Sequence, residues 1–315
     1  MLNSPKRWSY RHLTILVLSV LSVAGAGLIW RLRVQALQAE TGLHMYWSGQ
    51  STCSPLASIR AVQLRQRQQH EVLRLARTTQ RIRADSDVTL FRTTLGDWWA
   101  PTTNQTGLQF GLVEHKRMPY GSPKRGDVVL DCGANVGIFT RTALSAGASL
   151  VIAIEPVPAN IEALRQNFGA EIAGGRVIVY PKGVWNTETV LEMTLYDESP
   201  LDSFVMRSRP ETKTQTRRLA LPLTTIDLLV RELNLPKVDF IKMDIEGAER
   251  QALQGAAATL RRFKPRLAIA TENLTDDPLV VPRTVEDLMP AYTQRSGTCM
   301  QLENGTIAPE IATFD

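Results

Sequence analysis

The sequence predicts an α/β fold, an open and mostly parallel sheet with helices on both faces. Three observations predict it. Strand-like and helix-like patterns alternate from Gly121 onward, as in a sheet built from strand–helix–strand units. Val128-Val129-Leu130 is a short apolar run suited to a strand buried on both faces. It breaks at Asp131-Cys132-Gly133-Ala134-Asn135-Val136-Gly137 before helix-compatible residues resume. A second such run, 238–244, also ends in an acid and also opens a helix. In an open parallel sheet both run ends face one crevice, outside the carboxyl ends of the strands.

Taken in order, residues 1–12 form a basic tail with Lys6, Arg7 and Arg11. Residues 13–30 then run uncharged for eighteen positions to Trp30, and Arg31 and Arg33 follow. At about 1.5 Å per residue the run reaches about 27 Å, enough for a bilayer core, and Trp30 suits the interface. The expectation is a single-pass transmembrane helix. A signal peptide cleaved near Ala24-Gly25-Ala26 is the runner-up, disfavoured because the apolar run continues through Leu28 and Ile29. Residues 31–87 read as a basic, partly helical linker. Within it 58–83 lacks proline and glycine and forms either a helix on anionic lipid or a solvated connector. The domain proper spans 88–315. Trp98 and Trp99 are read as core packing beside the sheet rather than as the cover of a ligand mouth. Strands are expected near 127–132, 150–155, 176–180, 238–243 and 266–271, and helices near 137–146, 157–168, 224–233 and 247–262. Short strands at 191–195 and 218–223 follow the same pattern, and 298–315 supplies a closing hairpin around Asn304-Gly305.

Charge is unevenly spread. The formal net charge is +5, made of +10 over residues 1–83 and −5 over 84–315. The basic character therefore belongs to the N-terminal part, and the acidic domain gives no support for a nucleic-acid partner. Three cysteines, Cys53, Cys132 and Cys299, are too few and too widely spaced for a disulfide framework or a zinc site. That set fits a reducing compartment. Cys132, inside the turn, reads as a small packed residue.

The turn after the first strand is poorly suited to a pyrophosphate. A dinucleotide fingerprint needs a second and third glycine in register, and here Asn135 follows Gly133-Ala134. The turn better suits a ligand with a cationic or zwitterionic group near Asp131, such as S-adenosylmethionine. Gly133 and Gly137 allow close backbone approach, and Asn135 tolerates left-handed geometry. The next apolar run, 151–154, ends in Glu155, 24 residues after Asp131. An acid there can accept ribose hydroxyls. Asp131, Gly133, Asn135, Gly137 and Glu155 are therefore the cofactor-binding candidates.

The second motif places Asp244 at a strand end, followed by Ile245-Glu246-Gly247-Ala248-Glu249. Helix capping alone explains Glu249, but two acids within three residues at a crevice mouth exceed what capping requires. Glu272 ends the next strand and could converge on them, with Asp276 and Asp277 in the loop after it. All four histidines, His12, His44, His70 and His115, precede residue 121, so a general base from the later residues must be a carboxylate, Lys242 or a tyrosine. Asp244, Glu246 and Glu272 are the catalytic candidates. Together they could hold Mg²⁺, but a base or orienting role ranks above metal binding.

With GDVVLDCGANVGIFT, IAIEPVPANIEALRQN, TTIDLLV and VDFIKMDIEGAERQALQGA in that order, the chain resembles the FkbM family of S-adenosylmethionine-dependent methyltransferases over roughly residues 88–290. The resemblance implies a seven-stranded class I methyltransferase fold and methyl transfer to a hydroxyl oxygen of a sugar, glycolipid or secondary metabolite. It implies that Asp131, Gly133, Asn135, Gly137 and Glu155 contact the cofactor and that Asp244 and Glu246 line the reaction site. Many relatives resemble one another in a Tyr-His pair where this chain has Glu272-Asn273, so either Glu272 replaces that histidine in deprotonating the acceptor or the acceptor differs. Anchoring through 13–30 would then hold the enzyme at a membrane. The immediate flanks, three basic residues before the run and two after it, point to an exported domain. Cytosolic supply of the cofactor and the seven arginines within 60–83 point instead to the cytosolic side, which is the expectation taken. The alternatives are a cofactor-binding module without catalysis and a nicotinamide-dependent oxidoreductase, the latter disfavoured by Asn135.

Overall fold

The computed structural model describes residues 10–116, 121, 123–196, 203–204, 216–302 and 305–315. At 10–25, 193–196, 203–204, 216–217 and 296 it describes the backbone alone. Two helices come first, α1 (Tyr10–Trp47) and α2 (Pro55–Thr78). Ser54 caps α2, accepting from the Ala57 amide, and Pro55 occupies its first turn. The helices touch at Gly42, where an added Cβ would lie 2.6 Å from the Ile59 Cα. The expected membrane anchor and membrane localisation are corrected here. Among the described residues no helix is long and apolar enough to cross a membrane. The apolar run is not a separate helix: α1 continues without a break through Arg31 and Arg33 and ends packed on α2. Side chains 13–25 of that run lie outside the described residues.

An antiparallel meander follows, β1 (Gln80–Asp85), β2 (Val88–Thr93) and β3 (Gly96–Pro101), leading to α3 (Gln105–His115). Asn104 caps α3 through the Gly107 amide at 3.0 Å. Phe91, Trp98 and Trp99 pack with Leu75 of α2 and Leu108 and Leu112 of α3 in one apolar cluster. Both tryptophans are thus core residues.

The central sheet is laid down by β4 (Val128–Cys132), α4 (Ile138–Ser145), β5 (Leu150–Ile154), α5 (Pro158–Asn167), α6 (Gly169–Ala173) and β6 (Val177–Tyr180). The chain then leaves it for a small side sheet, β7 (Gly183–Val184), β8 (Thr189–Tyr196), β9 (Ser203–Phe204) and β10 (Thr216–Thr224), ordered β7-β10-β8-β9. It returns through α7 (Ile226–Glu232), β11 (Phe240–Met243), α8 (Glu249–Gln254), α9 (Ala257–Phe263), β12 (Arg266–Ala270) and α10 (Asp277–Leu288). The last strands are β13 (Gln294–Ser296), β14 (Cys299–Gln301), β15 (Ile307–Pro309) and β16 (Ile311–Phe314).

The seven central strands run in the order β13-β16-β12-β11-β4-β5-β6. The five from β12 to β6 are parallel, and β16 lies antiparallel to β12 and β13. This is the class I methyltransferase arrangement. Strand alternation divides the core between the two faces. Leu130, Ile152, Ile154 and Ile241 pack on the face covered by α7 to α10. Val129, Val151, Ala153 and Phe240 pack on the other, with Phe139, Leu164 and Phe168. The order reverses at β4, with β5 on one side and β11 on the other, so the ligand crevice of such a sheet opens there.

Cys53 and Cys299 form a disulfide, Cα to Cα 6.5 Å, across 246 residues of sequence. Three cysteines give no disulfide framework, but two of them do pair, and that bond removes the argument for a reducing compartment. β14 packs on α2, and the Ile307 amide donates to the Gln50 carbonyl at 2.8 Å. These contacts bring together two cysteines that spacing cannot pair. Cys132 is free and buried, as its packing role requires. β14 and β15 do pair as a hairpin. Gly305 lies in its turn, and Asn304 lies outside the described residues.

Candidate active site

The turn after β4 is held from below. Gly133 adopts φ +76° and a Cβ there would lie 1.9 Å from the Asp244 carbonyl oxygen, so the two acidic motifs touch backbone to backbone. Asn135, at φ +51°, is one of the non-glycine residues in the left-handed region. The Gly133 and Ala134 amides both donate to the Ile154 carbonyl at 3.0 Å. Glu155, just beyond β5, closes the arrangement. Its carboxylate accepts from the Asn135 amide at 2.9 Å, the Val157 amide at 3.0 Å and the Asn160 side chain at 3.2 Å. Burial raises the Glu155 pKa, against the pull of those donors.

Asp131 and Lys242 are opposite each other in the β4–β11 register. The Lys242 Nζ lies 3.2 Å from Asp131, with side chains 4% and 0% exposed. It also donates to the Gly133 carbonyl at 2.8 Å, and the Thr140 hydroxyl donates to Asp131 at 2.7 Å. Burial opposes the charge on Lys242, but Asp131 and Asp244 hold its pKa above the ordinary value. The lysine is therefore charged and committed to the floor of the turn.

The second motif bends sharply. Glu246 has φ +57° and Gly247 φ +99°. Glu249 holds the bend, accepting from the Ile245 amide at 2.8 Å and the Gly247 amide at 3.0 Å, while the Asn273 side chain donates to it at 2.9 Å. Burial, with Asp277 and Asp244 nearby, pushes its pKa up to about 8. Asp276 and Asp277 pair with Arg250 at 2.5 and 2.7 Å, which occupies them structurally.

These motifs floor a cleft of about 1100 Å³, counting its open mouth. Gly133, Asn135, Glu155, Asp244 and Glu246 all line it. Asp131 and Gly137 are not part of the lining. The first is fully buried against Lys242. The second spends its missing Cβ on the Phe168 ring, 2.1 Å from where that atom would stand. Glu272 also lies off the lining. Its pKa stands well above the ordinary value, through burial and then the charges of Glu114, Glu310, Asp244 and Glu246. Among the described residues no group of three or more His, Cys, Asp or Glu side chains is placed to hold a metal ion.

The opposite wall comes from α3, which contributes Phe110, Glu114 and His115. Sequence reasoning set His115 aside because it precedes the first central strand. The structure places it on the cleft all the same, since α3 lines the wall that faces the turn after β4 and the loop after β11. Nothing in the local spacing of 105–115 signals it. His115 Nδ1 lies 2.9 Å from the Gly111 carbonyl oxygen. Burial, then the Lys242 charge, brings its pKa down to about 4.

Comparison with known proteins gives the same direction. A family model described as "Methyltransferase FkbM domain" matches residues 131–293, just over half of the chain. "Methyltransferase 1" of Beauveria bassiana (strain ARSEF 2860) is 26% identical over 149 residues, which are 40% of this chain and 57% of that protein. The crystal structure of an FkbM methyltransferase from Methylobacillus flagellatus KT superimposes with a TM-score of 0.43 at 17% identity. It covers 81% of this chain and 60% of the other. A putative RNA methyltransferase from Pyrococcus horikoshii gives a TM-score of 0.34 at 14% identity, over 79% and 94%. This chain thus spans less than two thirds of the first two relatives.

Proposed function

The chain belongs to the FkbM methyltransferase family, and from that premise we propose that it transfers a methyl group from S-adenosylmethionine to a hydroxyl oxygen of a small-molecule or glycan acceptor. The charge of the cleft carries this reading. Four carboxylates line it, Glu114, Glu155, Asp244 and Glu246. Its lysine is already paired with Asp131, and its histidine is held neutral. Such a lining favours a cationic ligand and disfavours a pyrophosphate.

The residues fit the cofactor. Of the two Glu155 oxygens one accepts two hydrogen bonds and the other accepts one, which leaves acceptor capacity for a ribose hydroxyl. Val157 and Val184 supply an apolar wall beside it. Asn135 and Gly133 present backbone at the turn. Asp244 and Glu246, at the end of β11, face the sulfonium end and orient the acceptor. Bound there, the cofactor supplies an electrophilic methyl group. The protein contributes mainly by holding the acceptor oxygen in line and excluding water. Asp131 acts indirectly, by fixing Lys242 under the turn. Glu272 stands off the lining of the cleft, with its pKa raised by burial and then by the neighbouring carboxylates.

The reading is tested by calorimetric titration of S-adenosylmethionine into the full chain, wild type beside Glu155→Gln and Glu155→Ala. Saturable binding that Glu155→Ala weakens tenfold or more, about 1.4 kcal/mol, supports it. A folded wild type that does not bind the cofactor refutes it. Labelled cofactor and a panel of hydroxyl acceptors, sugars and glycolipids among them, then identify the acceptor class.

A further inference from the structure

Building on the reading that Glu155 receives the cofactor ribose, we infer that Asn160 is a positioning residue for it. Asn160 holds one Glu155 oxygen to the fold and leaves the other turned to the ligand. The buried side chains of α5 are Ile161, Ala163 and Leu164, all apolar, and Asn160. Asn160 is 4% exposed and lines the cleft beside Glu155 and Val157. A polar side chain in such a stripe needs a partner. It has one in Glu155, to whose Oε1 the Asn160 Nδ2 donates at 3.2 Å.

The local sequence sets this contact up. Pro158 opens α5, and Val157 before it has no side-chain oxygen with which to cap the helix. Glu155 supplies an acceptor there instead, its Oε1 taking the Val157 amide at 3.0 Å. Asn160, at the third helical position, reaches back over the helix start as the second member of a capping box does. Oε1 is thus held twice from α5. Oε2 takes the Asn135 amide at 2.9 Å, from the turn after β4. A carboxylate oxygen accepts about two hydrogen bonds, so Oε2 keeps capacity for a ribose hydroxyl.

Two of the three donors are backbone amides, fixed by the fold. Asn160 is the third, and it acts only on an ionised Glu155, since an amide nitrogen donates and does not accept. The helix N-terminus favours that charge. So does Lys242 of β11, while burial opposes it. Without Asn160, Oε1 keeps a single donor and the carboxylate is free to swing away from the ribose.

The test is calorimetric titration of S-adenosylmethionine into the full chain. The species are wild type, Asn160→Ala, Asn160→Asp, Glu155→Ala and Glu155→Ala/Asn160→Ala, each shown folded by circular dichroism. Asn160→Ala should weaken binding roughly fivefold, about 1 kcal/mol. In the Glu155→Ala background the same substitution should cost no more than about twofold, because no carboxylate is left to hold. Equal losses in the two backgrounds overturn the inference, as does an Asn160→Ala protein that binds like wild type. Asn160→Asp keeps the shape of the side chain but donates only when protonated. Its affinity relative to wild type should be low at pH 8 and recover as pH falls to 5, whereas Asn160→Ala should show no recovery. A pH-independent ratio for Asn160→Asp overturns the inference, and either variant decides should the other fail to fold. Absence of binding by folded wild type, or Glu155→Ala binding as tightly as wild type, removes instead the reading on which the inference rests.

Discussion

Removing Lys242 should damage the protein more than removing both members of its pair. Its Nζ is 3.2 Å from Asp131, and neither side chain is more than 4% exposed. In Lys242→Met the Asp131 carboxylate stays buried and, among the described residues, keeps the Thr140 hydroxyl at 2.7 Å as its hydrogen-bond donor. Stranding one charge of a buried pair costs about 3–5 kcal/mol. A domain of this kind is stable by only about 5–15 kcal/mol, so the single variant forfeits a large part of its stability. In Asp131→Asn/Lys242→Met the stranded charge is gone, and we expect at least about 2 kcal/mol of that loss to be recovered. The carbonyls of Cys132 and Gly133 still lose a donor, so recovery is incomplete. Lys242 has its pKa raised in the fold, so its contribution is fully present below the ordinary lysine value and is lost only as pH rises through the folded one. The deficit of Lys242→Met should therefore stay level from pH 6 to 9. Urea unfolding of the four species, followed by far-ultraviolet circular dichroism, measures the cycle. A single-variant loss under about 1 kcal/mol, or a double variant no better than the sum of the singles, would refute the argument.

Two further outcomes follow. His115 has its pKa lowered to about 4 in the fold, below the ordinary 6.5, so its contribution is present above pH 6.5 and lost as pH falls to about 4. At about 1.4 kcal/mol per pH unit the loss is at most about 3 kcal/mol. Glu249, raised to about 8, acts oppositely, stabilising as pH falls from 8 to 4.5. The difference between wild type and His115→Asn in unfolding free energy from pH 7 to pH 4 isolates the histidine, and a constant difference contradicts its placement. The Cys53–Cys299 bond closes 246 residues of chain, for which loop entropy alone gives a ceiling of about 5 kcal/mol and ordinary disulfides about 2–4. Urea unfolding with and without dithiothreitol should show that loss in wild type and none in Cys53→Ser.

The central sheet was legible because its signals are local. Val128 to Leu130 and 151–154 are apolar at every position, and such runs suit strands covered on both faces, as β4 and β5 are. Each run ends in an acid and a turn, which marks the carboxyl edge. The disulfide and the α1–α2 packing were not legible, since both depend on contacts between distant segments. Spacing argued against pairing Cys53 with Cys299, yet the docking of β14 on α2 pairs them. The apolar run at 13–30 looked bounded by its charged flanks, but helix propagation does not stop at Arg31 and Arg33, and α1 runs on to Trp47.

At the site the difference lies in strand register. From sequence, Asp131 looked like a ligand-facing acid because it ends an apolar run. Pairing of β4 with β11 sets it beside Lys242 instead, and the ion pair withdraws both from ligand chemistry. That withdrawal decides the character of the cleft. Were Asp131 unpaired, Lys242 would be a free cation beneath the turn and the crevice could hold an anion. With the pair formed, Glu155, Asp244, Glu246 and Glu114 set the field. The same lysine, facing His115, helps keep that ring neutral. A single register thus leaves the cleft its carboxylate character and helps keep its histidine neutral. Lys242→Met should accordingly raise the His115 pKa as well as destabilise the fold, and an unmoved histidine signal in that variant would separate the two effects.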